Sequence, residues 1–167
     1  MGKLVTLEQA IELCEAWRRE GRRVVLTNGC FDLLHVGHVD YLERARALGD
    51  ALVVGVNDDE SVRRLKGPGR PITPAPDRVR VVAALAAVDL VVVFSGDTAD
   101  ELLAALRPDV YAKGGDWSAA GGKRLPELET ARRIGAEVRF LPYLEGYATS
   151  ALIRRICSGL GGAGAGA

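Results

Sequence analysis

His35 and His38 are the two histidines of this 167-residue chain, and they stand three residues apart. On a helix that begins near Val36, that spacing turns both rings to the same side. Gly37 between them keeps the first helical turn free of a side chain. Upstream, Thr27-Asn28-Gly29-Cys30-Phe31-Asp32 connects an apolar run, Val24-Val25-Leu26, to the histidines. Gly29 permits a tight turn and the close approach of a ligand to the backbone. Two imidazoles beside the unpaired N–H groups of a helix N-terminus make a site suited to a phosphate chain. A lone histidine or a lone turn glycine is usually structural. The conjunction of strand, glycine turn, His-x-Gly-His and helix carries the functional reading.

Four other stretches hold residues that could meet a ligand. Arg63 to Arg80 contains Arg63, Arg64, Lys66, Arg70, Arg78 and Arg80 against a single acid, Asp77, and is stiffened by Pro68, Pro71, Pro74 and Pro76. In a chain of zero formal charge, such a segment suggests a lid over an anion, with a solvated loop as the plain alternative. Asn57-Asp58-Asp59 follows a second apolar run, at the kind of strand end where open α/β sheets bind ligands; helix capping by Asp58 or Asp59 is compatible with that. Lys113-Gly114-Gly115-Asp116 ends a further strand, and its paired glycines would let main chain meet a ligand. Thr149 and Ser150 open the last helix and either could cap it.

The elements that must position these residues alternate regularly. Apolar runs at about 23–27, 51–56, 89–94, 109–112 and 137–141 read as buried parallel strands. Between them, helical periodicity covers Thr6 to Glu20 (with a Thr6/Gln9 capping box), Val39 to Leu48, Val79 to Ala87, Thr98 to Leu106, Leu125 to Gly135 and a final helix with Leu152, Ile153 and Ile156 inward. This pattern predicts an α/β fold: a single Rossmann-like, doubly wound, parallel five-stranded sheet with helices on both faces. Residues 1–22 are expected to form an N-terminal helix, 23–157 the main domain and 158–167 a disordered Gly/Ala tail.

Composition narrows the classes. Lys+Arg and Asp+Glu balance at 22 each, so no global field draws nucleic acid or an anionic membrane. No apolar run reaches the ~20 residues of a bilayer span, and no signal-peptide core follows Met1. Cys14, Cys30 and Cys157 show no metal-ligand spacing, and their odd number argues against a disulfide framework. The cytoplasm is the expected compartment.

The turn from Thr27 to His38 resembles the nucleotidyltransferase superfamily marked by an H-x-G-H motif. That resemblance implies that His35 and His38 contact the α- and β-phosphates of a nucleoside triphosphate. Leu65-Lys66-Gly67, Arg70-Pro71 and Arg78 are similar to the basic loop of the superfamily's heptose-phosphate branch, where the matching residues face triphosphate and sugar phosphate. Lys113-Gly114-Gly115-Asp116-Trp117 resembles the K-G-G-D-Y/W element of heptose 1-phosphate adenylyltransferases. The branch carries Ser-Thr-Thr at the start of the last helix; here Ala148 replaces the first hydroxyl, so any contact it made is lost, while Thr149 and Ser150 remain.

The resemblance implies adenylyl transfer from ATP to a heptose 1-phosphate, of the D-glycero-D-manno type, with release of pyrophosphate. The implied catalytic set is His35, His38, Lys66 and Arg78. The implied nucleotide site is Thr27, Asn28, Gly29, Cys30, Phe31, Asp32, Gly37, Lys113, Gly114, Gly115, Asp116, Thr149 and Ser150, with Asn57, Asp59 and Arg70 for the acceptor. Mg2+ would bridge the triphosphate without a protein ligand cage. Partners are the small-molecule substrates, with neither nucleic acid nor membrane, and a homodimer is implied by resemblance alone. In many members of the branch a sugar-kinase domain precedes the transferase; these 167 residues are expected to hold the transferase alone. Two rivals stay open: a cytidylyltransferase acting on glycerol 3-phosphate or another phosphorylated acceptor, and a nucleotide-binding module without turnover.

Overall fold

A computed structural model describes residues 2–117 and 125–160. Its strands are β1 (Lys3–Leu4), β2 (Val24–Gly29), β3 (Ala51–Asn57), β4 (Leu90–Phe94), β5 (Val110–Gly114) and β6 (Glu137–Leu141). Its helices are α1 (Leu7–Arg19), α2 (Val36–Arg46), α3 (Asp59–Lys66), α4 (Ala75–Ala83), α5 (Asp100–Leu106), α6 (Leu128–Ile134) and α7 (Thr149–Leu160). The strands form one sheet in the order β1-β4-β3-β2-β5-β6, and every pair is parallel.

The expected five strands are therefore six. The missed one, β1, has two residues and exposed side chains, so it leaves no hydrophobic run to read. Main-chain bonds hold it at the edge: Gly2 N–H donates to Ala83 O, Lys3 N–H to Asp89 O and Val5 N–H to Val91 O. The N-terminal helix expected before residue 23 is α1, and its Ala10 and Cys14 pack into the core on one face of the sheet. At the other end, α7 runs to Leu160, into the segment expected as tail. Residues 161–167 lie outside the described residues.

Both sheet faces are covered, which is why the strands read as unbroken apolar runs. Alternate residues of β2 face opposite ways: Val25 joins Tyr41, Leu42 and Ala45 of α2 and Val79 and Val82 of α4. Val24 and Leu26 join Ala10 and Cys14 of α1, Leu102, Leu103 and Leu106 of α5, and Ala131 of α6. Three aspartates just outside the strands stitch the N-terminal edge. Asp50 accepts from Arg23 N–H, Asp89 from Leu52 N–H and Asp109 from Val24 N–H, each at 2.7 Å.

The strand order sets where a ligand can enter. From β2 the chain winds outward through β3 and β4; it then returns to pair β5 with β2 on the other side. The crevice between the carboxyl ends of β2 and β5 is thus the topological switch point, where open α/β sheets bind ligands. Thr27, Asn28 and Gly29 end β2, and Lys113 and Gly114 end β5.

Candidate nucleotide-binding site at the switch point

β2 runs on through Gly29, two residues further than the apolar pattern suggested. Phe31 then takes a left-handed conformation (φ 47°), and its ring lies over Gly29, where a Cβ would stand 3.1 Å from it. This folds the chain back so that His35 becomes the N-cap residue of α2. The His35 side chain does not cap the helix. Instead it stacks on His38, with ring centroids 3.9 Å apart and planes at 26°. Gly37 has a steric role: a Cβ there would lie 2.9 Å from the Tyr147 Cβ and 3.1 Å from the His35 ring.

The two imidazoles are poor bases here. Desolvation lowers the pKa of His35. Desolvation, and then the neighbouring His35, push that of His38 down to about 4. The Nδ1 atoms of both are buried and have no hydrogen-bond partner among the described residues. Neutral, stacked and unpartnered, the pair is ready for an anion to raise its protonation.

The rest of the turn is held by polar ties. Thr27 Oγ1 and Tyr41 OH are 2.7 Å apart, and Tyr41 OH donates to Ala112 O of β5 at 3.1 Å. Asn28 Oδ1 accepts from Tyr111 OH at 2.7 Å and from Lys113 Nζ at 3.0 Å, which joins β2 to β5 across the crevice. Lys113 is buried, and its ammonium lies over the rings of Tyr111 and Trp117. At Gly114 a Cβ would collide with the outer end of the Tyr143 ring, so any side chain there must displace that tyrosine. At Gly115 a Cβ would meet Pro142 Cα at 3.3 Å, a tight contact with the chain after β6. The side chain of Asp116 lies outside the described residues.

Asp32 is a clamp. Its carboxylate accepts from Arg70 Nε and from the N–H groups of Ile72 and Thr73, the latter at 2.9 and 2.8 Å. Burial pushes its pKa up, but the hydrogen bonds from Thr73, Ile72 and Arg70 outweigh this and hold it below the usual value. Arg78 is a second clamp, from α4: Nε donates to Thr73 O at 2.9 Å, Nη2 to Asp59 Oδ1 at 2.7 Å, and Nη1 to Cys30 O. Its side chain is 0% exposed. The basic, proline-rich segment is thus mostly helical at its ends, α3 closing with Lys66 and α4 opening at Ala75, with only 67–74 as loop. Of the expected basic residues, Lys66 is exposed and Arg70 half-buried against Asp32, while Arg78 already lies inside the protein and faces no solvent. Cys30 sits among Arg78, Arg70 and Lys66; desolvation raises its thiol.

Asn57 and Asp59 are also brought to this edge, as ties within the protein. Asn57 Nδ2 donates to Ser61 Oγ and Gly96 O, and Asp59 Oδ1 accepts from Ala75 N–H as well as from Arg78. Asp58, not Asp59, caps α3. Thr98 does not cap α5: the N-cap is Ala99, and Thr98 Oγ1 donates to Asp100. At α7 the first helical residue is Thr149, and Ala148 O accepts from Ala151 and Leu152 N–H, so the capping position is the alanine. Thr149 Oγ1 reaches Leu33 O of the histidine turn. Sequence reasoning missed Tyr41, Tyr111 and Glu127, polar groups embedded in apolar patterns, whose only outward sign is a polar atom at a core position.

A family model described as cytidylyltransferase-like matches residues 26–155, from the middle of β2 into α7. The chain belongs to the cytidylyltransferase-like family. This is the nucleotidyltransferase family expected from the His-x-Gly-His turn. The chain is 50% identical over 153 residues to the bifunctional protein HldE of Koribacter versatilis, covering 92% of this chain and 31% of that one. It is 50% identical over 155 residues to the bifunctional protein HldE of Methylococcus capsulatus, covering 93% and 32%. The chain therefore spans about a third of the length of the curated relatives it matches. A crystal structure titled as the lipopolysaccharide core biosynthesis protein from Thermoplasma volcanium superposes with a TM-score of 0.60 at 28% identity, over 77% of this chain and all of that one. The switch-point crevice of this cytidylyltransferase-like chain lies entirely inside the matched span.

Proposed function

We propose that this chain transfers the adenylyl group of ATP to a heptose 1-phosphate, forming an ADP-heptose and pyrophosphate. The observation that carries the reading is the stacked, unpartnered pair His35 and His38 at the start of α2, beside the β2/β5 switch point. The sequence resemblance to heptose 1-phosphate adenylyltransferases and the 50% identity to proteins named HldE support the acceptor class.

The chemistry asks little of the protein beyond placement and charge. A phosphate monoester has its second pKa near ~6, so the acceptor phosphate is largely dianionic at neutral pH and needs no general base. Its oxygen attacks the α-phosphorus of ATP, and the bond to the bridging oxygen of pyrophosphate breaks. The protein must hold two anions together and stabilise the charge that builds on the leaving group. His35 and His38 become better donors as that charge grows, because an adjacent anion raises an imidazole pKa. Exposed Lys66, the last residue of α3, can close over the phosphates, while Arg70 and Arg78 hold the loop that follows it. The N–H groups that open α7, with Thr149 and Ser150, are placed near the histidine turn through Leu33.

Mg2+ would enter with the nucleotide. Among the described residues no group of three His, Cys, Asp or Glu could hold a metal ion, and Asp32 has its oxygens engaged by Arg70, Ile72 and Thr73. No step is assigned to the metal. Among the described residues no helix is long and apolar enough to cross a membrane. Free Cys14, Cys30 and Cys157 suit a reducing compartment such as the cytoplasm, where ATP is supplied. The test is incubation of the protein with ATP or CTP and a panel of phosphorylated acceptors, reading pyrophosphate. Release with ATP and heptose 1-phosphate is the expected result. Release only with CTP and glycerol 3-phosphate would reassign the acceptor and base, and no release with any pair would leave a binding module.

A further inference from the structure

Glu127, the residue before α6, is 3% exposed and belongs to none of the motifs described above. A buried carboxylate needs partners to offset its lost hydration. One is the N–H of Ala99, the N-cap of α5, which donates to Glu127 Oε1 at 2.9 Å. The other is the ammonium of Lys113, with Nζ 3.9 Å from the same oxygen. Lys113 is itself 7% exposed, at the carboxyl end of β5. Its Nζ donates to Asn28 Oδ1 at 3.0 Å, and Tyr111 OH donates to that oxygen at 2.7 Å. The phenol of Tyr111 is raised by burial and then by the Glu127 carboxylate, so it stays protonated and a donor.

The chain of contacts has a directional consequence. Two donors on Asn28 Oδ1 fix which arm of the amide is oxygen and which is nitrogen. The Nδ2 arm has no acceptor among the described residues, and it stands at the end of β2, on the rim of the switch-point crevice. We infer that Glu127 is a positioning residue for the nucleotide site: by holding the Lys113 ammonium against Asn28, it fixes the Asn28 amide with Nδ2 as the donor left for the ligand. This rests on the reading of the crevice as a nucleotide site but not on the identity of the acceptor sugar.

The test is a double-mutant cycle on the full chain. Glu127→Gln keeps an oxygen for Ala99 N–H and nearly the same volume, but removes the negative charge from Lys113. Lys113→Met removes the ammonium while keeping an unbranched side chain. ATP affinity is measured by calorimetry, thermal stability by circular dichroism, and turnover with ATP and heptose 1-phosphate by pyrophosphate release. Glu127→Gln is expected to weaken ATP binding about tenfold with little change in Tm, and to add almost nothing in the Lys113→Met background. Additive losses in the double variant would overturn the inference, as would a Glu127→Gln protein that loses Tm while retaining ATP affinity. If Glu127→Gln fails to fold, Glu127→Asp answers the same question, because it keeps the charge but draws the carboxylate one methylene back from Lys113. Weakened ATP binding in that variant supports the inference and unchanged binding overturns it. Should the wild type bind ATP but release no pyrophosphate with heptose 1-phosphate, the proposed acceptor fails, while the ATP-binding cycle still decides the role of Glu127.

Discussion

At the residue scale the decisive property of His38 is its low basicity. Its folded pKa, about 4, lies below the ordinary 6.5, because burial and the stacked His35 disfavour the imidazolium. The sign of the linkage follows. The stability associated with neutral His38 is complete above pH 6.5 and is lost as pH falls through about 4. A bound triphosphate acts the other way, since an anion beside the rings favours protonation. NMR titration of the His38 ring protons should give a midpoint near 4 in the free protein and a higher one with ATP; an unmoved midpoint would take the ring out of contact with the phosphates. Because the rings touch, the two histidines should titrate as a coupled pair. Replacing either His35 or His38 by Ala should lower kcat by ~10²–10³ with the fold retained, read as steady-state pyrophosphate release. Gly37→Ala is the steric counterpart. The new methyl must move Tyr147 or the His35 ring, and a shift of that size is expected to cost on the order of 10² in kcat/KM with little loss of secondary structure.

At the element scale the site is built from three segments locked by two buried charges. Asp32 ties the histidine turn to loop 67–74, and Arg78 ties that loop to Cys30 and to Asp59 at the start of α3. Arg78→Ala would leave the Asp59 carboxylate with Ala75 N–H but no cation, and two main-chain carbonyls without their donor. A loss of ~3–5 kcal/mol in urea unfolding is expected, as for other broken buried pairs. A loss under ~1 kcal/mol would mean that water replaces the guanidinium. Five of the strands and the histidine turn were legible in the sequence because each is a local pattern: apolar runs, a glycine turn, a paired histidine spacing. The clamps were not legible. Arg78 read as a cation waiting for an anion, because a sequence shows its charge and not that Thr73, Cys30 and Asp59 would converge on it from three elements. The same holds for Asn57, whose amide serves Ser61 and Gly96 inside the protein. β1 escaped because two exposed residues carry no periodicity.

At the scale of the whole molecule, the switch point divides the site into two halves carried by different crossovers. On the β3 side stands loop 67–74, already fastened by Asp32 and Arg78. On the β5 side the chain leaving β6 folds back over the crevice: Tyr143 covers Gly114, and Tyr147 packs against Gly37 and lies 6.4 Å from the His35 ring. It then enters α7, in which no residue from Thr149 to Gly159 is fully buried and whose Ile156 is 47% exposed. An element with few buried apolar contacts opens at low free energy. The two halves should therefore respond unequally to nucleotide. In hydrogen exchange of the free protein, amides of 143–156 are expected to exchange much faster than those of β2, β3 and β5, and loop 67–74 to be intermediate at Ile72 and Thr73, whose N–H groups are bound to Asp32. ATP should slow exchange at 143–152 by about tenfold or more, because the triphosphate would bridge the α2 histidines and the start of α7. Ile72 and Thr73, bound to Asp32 in either state, should change little, and so should the centre of the sheet. Equal slowing on both sides would mean that the basic loop closes as a lid after all, with Asp32 releasing it in the free protein. Slowing confined to loop 67–74 would place the triphosphate on the β3 side and remove α7 from the site.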